Sequence, residues 1–476
     1  MKKAELVIIP APGMGHLVST VEFSKHLLDL DSRLSITVLV ITPFAPSVGE
    51  YTRSLASSDT RIRYLDLPRV DPPPPQFLSS PEKFVTVFIE SHKQHAKDAI
   101  IDLVSSESNS NSTSKLVGLV VDMFCTSMID IAHQLGLPSY LFFTSSAAFL
   151  GFLLYLPTRY DQVGTEFKES DPESIIPSYV NPVPTDALPS FAFNKDGYAS
   201  FSGHARKFRE TKGIIVNTFA ELESHALNSF LDDQTPPVYT VGPLLDLKGQ
   251  GNSQSNRAHR DKIIKWLDDQ PQSSVVFLCF GSLGCFGAAQ ANEIAVALER
   301  SGHRFLWSLR QPPPQGEFAM PSDYANFEGI LPEGFLERIG GRGMMCGWAP
   351  QVEVLAHKAI GGFVSHCGWN SILESIRCGV PLVTWPMYAE QQINAFEMAR
   401  ELGLAVGMKV DYRTGGGDVV KADEIETAIG RLMEHDGEVR KRVKEMGEKS
   451  RMALVEGGSS LASFGRLIKD ILGNKS

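Results

Sequence analysis

A histidine stands at the end of a glycine-rich turn near the start of the chain, in the stretch IIPAPGMGHLVS of residues 8–19. Glycine-rich turns after a first strand often let the backbone approach a phosphate closely, whereas histidine is suited to moving protons near neutral pH. A dinucleotide-binding turn would need a third glycine, where this chain has Val18, and an acidic residue at the end of the next strand, where it has Thr42. The turn is therefore better explained by His16 as a catalytic base.

Two further side chains are predicted to lie beside this histidine. Asp122 ends the apolar run LVGLVVD, and Thr144 ends the run YLFFT. Because the carboxyl ends of parallel strands meet at one edge of a sheet, both are expected close to His16. A carboxylate on one ring nitrogen orients an imidazole and stabilises its charged form. A lone histidine after a glycine turn is more often structural, but the pair His16–Asp122 predicts a base that takes a proton from a hydroxyl.

A second group of chemically distinctive residues follows the stretch GGFVSH, which reads as a strand. CGWNS then reads as a tight turn and SILESIRCG as a helix. The N–H groups of the first helical turn form an anion site, with Asn370 or Ser371 as the helix cap. His366, at the end of the strand, can donate a further hydrogen bond to phosphate. Glu374, about one turn inside the helix, can accept hydrogen bonds from both hydroxyls of a ribose.

Aromatic and polar residues flank this helix in the sequence. Upstream, in GWAPQ, Trp348 offers a flat indole that can stack on a base, and Ala349 is small enough for its backbone to reach the base edge. Downstream, Glu390 and Gln391 follow the predicted strand PLVTWP, and ligands of parallel α/β sheets lie beyond the carboxyl ends of the strands. A carboxylate and an amide at that place suit a ligand rich in hydroxyls, such as a sugar.

The elements that carry these residues alternate between strand and helix. Runs such as ELVIIP, SITVLVIT and LVGLVVDMF read as buried strands, and helix-period segments separate them, which predicts parallel sheets in an α/β protein. The layout starts again at SVVFLCFGSLG, so we expect two Rossmann-like, doubly wound domains that face one another across a cleft. The expected boundaries are 1–246 for the N-terminal domain, 247–262 for a linker, 263–455 for the C-terminal domain, and 456–476 for a final helix that packs back on the N-terminal domain.

Length and charge narrow the function classes. The chain has 476 residues, of which 43% are hydrophobic, and a formal net charge of −10. These values favour a two-domain globular protein and argue against a nucleic-acid or anionic-membrane partner. Six cysteines without a CxxC pair predict reduced thiols rather than a zinc cluster or disulfides. The longest apolar stretch, AAFLGFLLYL, is too short to span a bilayer, and the N-terminal apolar run is too short for a signal peptide. We therefore expect a cytoplasmic protein.

The segment 348–391 resembles the plant secondary-product signature of the family-one UDP-sugar glycosyltransferases. The landmarks W-A-P-Q, H-C-G-W-N-S, E, G-V-P, W-P and A-E-Q stand in register, and the resemblance extends over essentially the whole chain. It implies the GT-B fold, in which the N-terminal domain binds the acceptor and the C-terminal domain binds the UDP-sugar. The resemblance implies a set of donor-site residues, each with a part of UDP-glucose to bind. They are Trp348 and Ala349 for uracil; Glu374 for ribose; Ser282, His366, Asn370 and Ser371 for the phosphates; and Thr144, Trp369, Glu390 and Gln391 for the sugar. Gln351 is a further donor-site residue that it implies.

The resemblance also implies the reaction. The expected enzyme is an inverting UDP-glucose-dependent O-glucosyltransferase for small lipophilic acceptors, either flavonoids and other phenolics or terpenoids, with His16 as general base and Asp122 as its partner. Gln391 implies glucose rather than galactose. No metal is expected, because the sequence DLD of residues 29–31 precedes a strand, at the wrong sheet edge for a ligand, and a helix N-terminus can stabilise the departing diphosphate. We expect a monomer whose ligands are the UDP-sugar and the acceptor.

Two other classes of protein fit parts of the sequence. A non-catalytic binding protein could keep the nucleotide-sugar site without turnover, but the intact pair His16–Asp122 argues against it. A nucleotide-sugar oxidoreductase or epimerase would need a bound nicotinamide, and the incomplete fingerprint after Gly13 argues against that. The identity of the acceptor stays open, because segments such as DMFCTS and FAFNKDGYASF indicate only a pocket with many aromatics and few charges.

Overall fold

The chain folds, in a computed structural model, into two compact units. The first comprises Met1–Thr185, Ser190–Leu245 and Met452–Ser476, and the second comprises Asp186–Pro189 and Asp246–Arg451. The structure describes residues 3–42, 59–74, 76–77, 80–106, 114–247, 254–314, 320–327, 329–414 and 417–473.

The first unit contains a seven-stranded sheet in the order β3-β2-β1-β4-β5-β6-β7, and every neighbouring pair in it is parallel. Its strands are β1 Lys3–Ile9, β2 Leu34–Val40, β3 Ile62–Asp66, β4 Ser114–Asp122, β5 Ser139–Phe143, β6 Gly213–Val216 and β7 Val238–Thr240. Central strands of such a sheet are buried on both faces, which requires a continuous apolar run. Strand β5 illustrates this, because each of its residues is buried.

Helices connect these strands, and their ends follow from local sequence. The helices are α1 Met14–Leu30, α2 Pro81–Ser91, α3 Lys93–Ser106, α4 Ile129–Leu135, α5 Ala147–Val163, α6 Lys195–Phe208 and α7 Ser224–Asn228. Helix α5 begins where the Ser146 side chain accepts a hydrogen bond from the Phe149 N–H, and it ends at Gly164, whose φ of 78° suits glycine. Helix α1 packs on the sheet through Phe23, whose ring stacks on that of Phe142 at 5.0 Å.

The second unit contains a six-stranded sheet in the order β12-β9-β8-β13-β14-β15, again with every neighbouring pair parallel. A short antiparallel pair, β10 with β11, stands outside this sheet. The strands are β8 Val275–Cys279, β9 Arg304–Ser308, β10 Arg310–Gln311, β11 Ser322–Asp323, β12 Gly343–Cys346, β13 Ile360–Ser365, β14 Leu382–Thr384 and β15 Ala405–Gly407. The two parallel sheets confirm the predicted α/β class.

The first helix of the second unit precedes the first strand of that unit in the sequence. The helices are α8 Gln254–Asp268, α9 Ala288–Ser301, α10 Phe335–Arg338, α11 Gln351–Leu355, α12 Trp369–Cys378, α13 Gln391–Phe396, α14 Ala422–Met433 and α15 Glu438–Met452, with a π-helical turn at Glu397–Glu401. Helix α8 corrects the predicted linker 247–262, of which residues 248–253 lie outside the described part of the chain. From Gln254 onward the segment is helical, because Ile263 and Leu267, four residues apart, bury one face of the helix.

The last helix, α16 Ser459–Ile471, belongs to the first unit. Phe464 and Leu467 on this helix are fully buried, and Phe464 stacks on Phe23 at 5.9 Å. The Ser460 hydroxyl donates to the Gly242 carbonyl. Among the described residues, no helix combines the length and the apolar character that crossing a membrane requires.

Candidate active site

His16 and Asp122 meet at the carboxyl edge of the first sheet. His16 lies in the first turn of α1, directly after β1, and Asp122 is the last residue of β4. Strands β1 and β4 are parallel neighbours with Ile9 opposite Val121, so both side chains emerge at the same edge. The His16 Nδ1 lies 2.8 Å from the Asp122 Oδ2; the aspartate side chain is 1% exposed and the histidine 26%. The turn is closely packed against the histidine, because a Cβ at Gly13 would lie 3.1 Å from the imidazole.

The hydrogen bonds of this pair fix which ring nitrogen carries the proton. The Asp122 Oδ1 accepts the backbone N–H of Phe124, so the carboxylate is held in place from its other oxygen. Because a carboxylate accepts, the His16 Nδ1–H donates to Asp122, and the proton-accepting nitrogen is then Nε2. The Thr144 Oγ1 lies 3.0 Å from the same Nδ1. Thr144, predicted to contact the sugar, is thus also a partner of the histidine.

The N-terminus of α12 forms the candidate diphosphate site of the second unit. The helix follows β13 after the turn His366-Cys367-Gly368, and its N-cap is Gly368, with no side-chain cap. This corrects the expectation that Asn370 or Ser371 caps the helix, because both lie within its first turn. The N–H groups of a first turn point out of the helix end and are the groups that bind anions there.

His366 lies against two glycines at this helix end. A Cβ at Gly281 would approach the His366 Nε2 to 2.6 Å, and one at Gly368 would approach it to 2.5 Å, so neither position accepts a larger residue without a shift. Burial lowers the pKa of His366 to about 4. The imidazole is therefore neutral at pH 7 and offers one N–H donor. Ser282 follows Gly281 and is exposed.

Glu374 and Gln351 form a hydrogen-bonded group beside this helix end. The Gln351 Nε2 lies 2.7 Å from the Glu374 Oε2 and 2.7 Å from the Ser371 Oγ. Burial raises the pKa of Glu374 to about 7; the bond from Gln351 opposes this shift and the nearby Asp246 adds to it. Both amide hydrogens of Gln351 are thus engaged in holding two predicted ligand-binding side chains.

Comparison with known proteins supports the same chemistry. A family described as UDP-glucoronosyl and UDP-glucosyl transferase matches residues 193–436. UDP-glycosyltransferase 71K1 of Malus domestica is 55% identical to this chain over 478 residues, which cover 99% of this chain and 100% of that protein. This chain belongs to the plant family-one UDP-dependent glycosyltransferases. It is accordingly an enzyme, a glycosyltransferase.

Further relatives of this transferase have a stated substrate or a solved structure. UDP-glucose flavonoid 3-O-glucosyltransferase 6 of Fragaria ananassa is 51% identical over 485 residues, covering 99% of each chain. The crystal structure of Medicago truncatula UGT71G1 complexed with UDP-glucose matches with a TM-score of 0.89 at 50% identity, covering 98% of each chain. The structural match confirms the GT-B fold that the sequence resemblance implies.

The residues predicted to hold the sugar and the base differ in exposure. The Gln391 Oε1 accepts the backbone N–H groups of Met387 at 2.9 Å and of Tyr388 at 3.1 Å, and the residue is 3% exposed. Glu390 is half-buried, whereas Trp369 is 2% exposed and its ring packs inside the unit. Trp348 is half-buried and Ala349 is buried.

Sequence reasoning missed a buried histidine near His16. His204 on α6 has its Nδ1 2.8 Å from the Thr126 Oγ1, and burial lowers its pKa to about 4. Its ring lies 6.0 Å from that of Phe124, which in turn lies 5.5 Å from His16. The flanking sequence SGHAR has no feature that marks the residue, and only the packing of α6 brings it to this place.

Acidic groups elsewhere in the transferase already have cationic partners. In the sequence DLD, Asp31 pairs with Arg33, and Asp29 pairs with Arg61. Within the described residues, one group has the composition and spacing of a metal site, formed by Asp130, His133 and Glu210.

Proposed function

We propose that this glycosyltransferase transfers glucose from UDP-glucose to a hydroxyl of a small lipophilic acceptor, a phenolic or a terpenoid, with inversion at the anomeric carbon. The observation that carries the proposal is the 2.8 Å contact between His16 and the buried Asp122. A non-catalytic binding protein has no use for a carboxylate-oriented imidazole, whereas a hydroxyl acceptor needs a base.

The reaction then follows from the roles of these side chains. The His16 Nε2 takes the proton of the acceptor hydroxyl while its oxygen attacks the anomeric carbon of glucose. The bond from that carbon to the diphosphate oxygen breaks, and UDP leaves with the electron pair. Asp122 stabilises the imidazolium that forms. Because a single displacement inverts the centre, an α-linked donor gives a β-glucoside.

The second unit supplies the groups that hold the donor. We assign the base to Trp348 and Ala349, the ribose to Glu374, and the diphosphate to the N-terminus of α12 with His366, Ser371 and their neighbours Asn370 and Ser282. A fixed array of N–H donors stabilises negative charge that develops on a leaving group without needing to reorganise. This array supports transfer without a metal ion.

The hexose and the acceptor are proposed from neighbouring side chains and from relatives. The Gln391 amide, held by two backbone N–H groups, presents donors in a fixed orientation, which favours one arrangement of sugar hydroxyls. We assign glucose, the sugar named for the Fragaria ananassa relative. The Phe124 ring lies 5.5 Å from the His16 ring and 5.9 Å from that of Phe201, and such apolar rings suit a flat apolar acceptor.

The proposal is tested by following UDP release with a panel of phenolic and terpenoid alcohols. We expect UDP-glucose to be used in preference to UDP-galactose. His16→Ala should lose activity on the order of 100-fold or more, the contribution of a general base, and Asp122→Asn about tenfold or more. Both variants should still bind UDP, because its assigned residues lie in the second unit.

His225→Ala is the matched control, because this histidine is exposed in the same unit. Its turnover should equal that of the wild type. Unchanged turnover of an aliphatic alcohol by His16→Ala would contradict the assigned base, and absence of UDP release with every acceptor would favour a binding protein.

A further inference from the structure

Helix α8 precedes the signature segment 348–391 in the sequence. It contacts the turn that carries Trp348 and Ala349, the residues assigned to the uracil base. The His259 Nε2 lies 2.9 Å from the Trp348 carbonyl oxygen. Because a carbonyl oxygen only accepts hydrogen bonds, this nitrogen must carry a hydrogen and donate it. The contact therefore fixes both the tautomer of His259 and the orientation of the peptide that follows Trp348.

The other backbone polar atom of Trp348 is held from a different segment. The Trp348 N–H donates to the Asp323 Oδ1 at 3.1 Å. Asp323 lies on β11, and its Oδ1 also lies 2.9 Å from the Arg310 Nε on the partner strand β10. Two side chains from separate elements thus bind the two peptide groups on either side of the Trp348 side chain.

A second contact from α8 reaches the helix that follows the turn. The Arg260 Nε lies 2.9 and 2.8 Å from the two carboxylate oxygens of Glu353 on α11. The first residue of the same helix, Gln351, binds Glu374 and Ser371. Helix α8 is therefore linked to the base turn directly and to the ribose and phosphate residues through α11.

We propose that His259, together with Asp323, is a positioning residue for the nucleotide base: it fixes the Trp348 backbone so that the indole and the Ala349 peptide are in place before UDP-glucose binds. A turn that is already ordered loses less entropy on binding, so ordering appears as affinity. This inference rests on the proposed assignment of Trp348 to uracil.

The test measures UDP affinity by calorimetry, and KM and kcat with UDP-glucose, for His259→Phe and His259→Ala. Loss of one hydrogen bond of ordinary strength predicts about threefold to tenfold weaker UDP binding and a matching rise in the KM for UDP-glucose. The kcat and the KM for the acceptor should stay near the wild-type values. His259→Gln, whose amide can donate, should restore part of the affinity. Arg257→Ala, exposed on the same helix, is the control and should match the wild type.

A double-mutant cycle separates positioning from general support of the fold. If His259 positions the Trp348 indole, then His259→Phe should weaken UDP binding less in a Trp348→Ala background than in the wild type, and what remains reports the Ala349 peptide. Unchanged affinity in both His259→Phe and His259→Ala, or fully additive effects, would overturn the proposal. If Trp348→Ala itself leaves UDP affinity unchanged, the assignment of the base fails instead, so the two failures are distinguishable.

Discussion

The pKa of Glu374 lies close to neutral pH, so both of its protonation states are populated there. Burial raises its pKa to about 7, and Asp246 adds to the shift against the opposing bond from Gln351. The carboxylate form only accepts hydrogen bonds, at both oxygens, whereas the protonated form has an O–H donor at one oxygen and less acceptor capacity. If Glu374 accepts from the ribose hydroxyls, UDP binds best to the deprotonated form and must release a proton when it binds to the protonated form.

We therefore predict that UDP affinity falls as the pH falls through 7. With a pKa of about 7, the dissociation constant should rise about tenfold from about pH 8 to about pH 6. Calorimetry at each pH measures this change. Glu374→Gln is the control: its overall affinity should be lower, and its profile should retain only the titration of UDP itself. A Glu374→Gln profile as steep as that of the wild type would contradict the assignment.

Single side chains differ in how far the sequence predicts them. The meeting of His16 with Asp122 follows from strand order, because His16 stands in the helical turn after β1 and Asp122 ends β4, the parallel neighbour of β1. The sequence does not predict that the Thr144 hydroxyl forms a hydrogen bond with His16, or that the oxygen of the Gln391 amide accepts backbone N–H groups. These hydrogen bonds depend on turn geometry, which the sequence pattern does not encode. The roles of all these residues in binding and catalysis stay predictions.

At the scale of elements, helix α16 contributes a buried face to the first unit. Leu467 is fully buried on this helix, and the Tyr140 hydroxyl donates to Asp470 at 2.7 Å. We predict that Leu467→Ala destabilises the protein by about 2–5 kcal/mol, the usual range for truncating a buried leucine. Urea unfolding followed by circular dichroism measures the change. Lys469→Ala, exposed on the same helix, should leave the transition within error. Equal midpoints for the two variants would show that α16 adds little.

Elements were predictable where burial forces a pattern on the sequence. Strand β5 is wholly buried and strand β4 is buried from Gly118 to Asp122, so their apolar runs identify them. The first turns of helix α8 are not predictable from the sequence, because the polar residues that precede its buried positions resemble a linker. The cap of α12 was misplaced because Gly368, which has no side chain to cap with, takes the place of the usual Ser or Asn.

On the scale of the whole molecule, the distribution of charge bears on how a diphosphate is accommodated. The chain has a formal net charge of −10, so the donor must be attracted by local groups rather than by the overall field.

The group with the composition and spacing of a metal site, formed by Asp130, His133 and Glu210, lies in the first unit. Lys93 and Lys207 lie 2.7 and 2.8 Å from the Asp130 carboxylate, and Lys207 also binds Glu210, so lysine ammonium groups already neutralise these carboxylates.

The leaving diphosphate is assigned instead to the N-terminus of α12 and to His366. The aligned peptides of a helix place roughly half a positive charge at its N-terminus, and this charge acts chiefly on groups close to the first turn. The neutral His366 adds an N–H donor without the energetic penalty of burying a cation. We therefore predict that glucosyl transfer needs no divalent ion. Initial rates after dialysis against EDTA should equal those of untreated enzyme, and adding Mg²⁺ or Mn²⁺ to either sample should change them little. A rate that collapses with EDTA and returns with either ion would show that helix and histidine are insufficient, and that a metal shares the charge of the departing UDP.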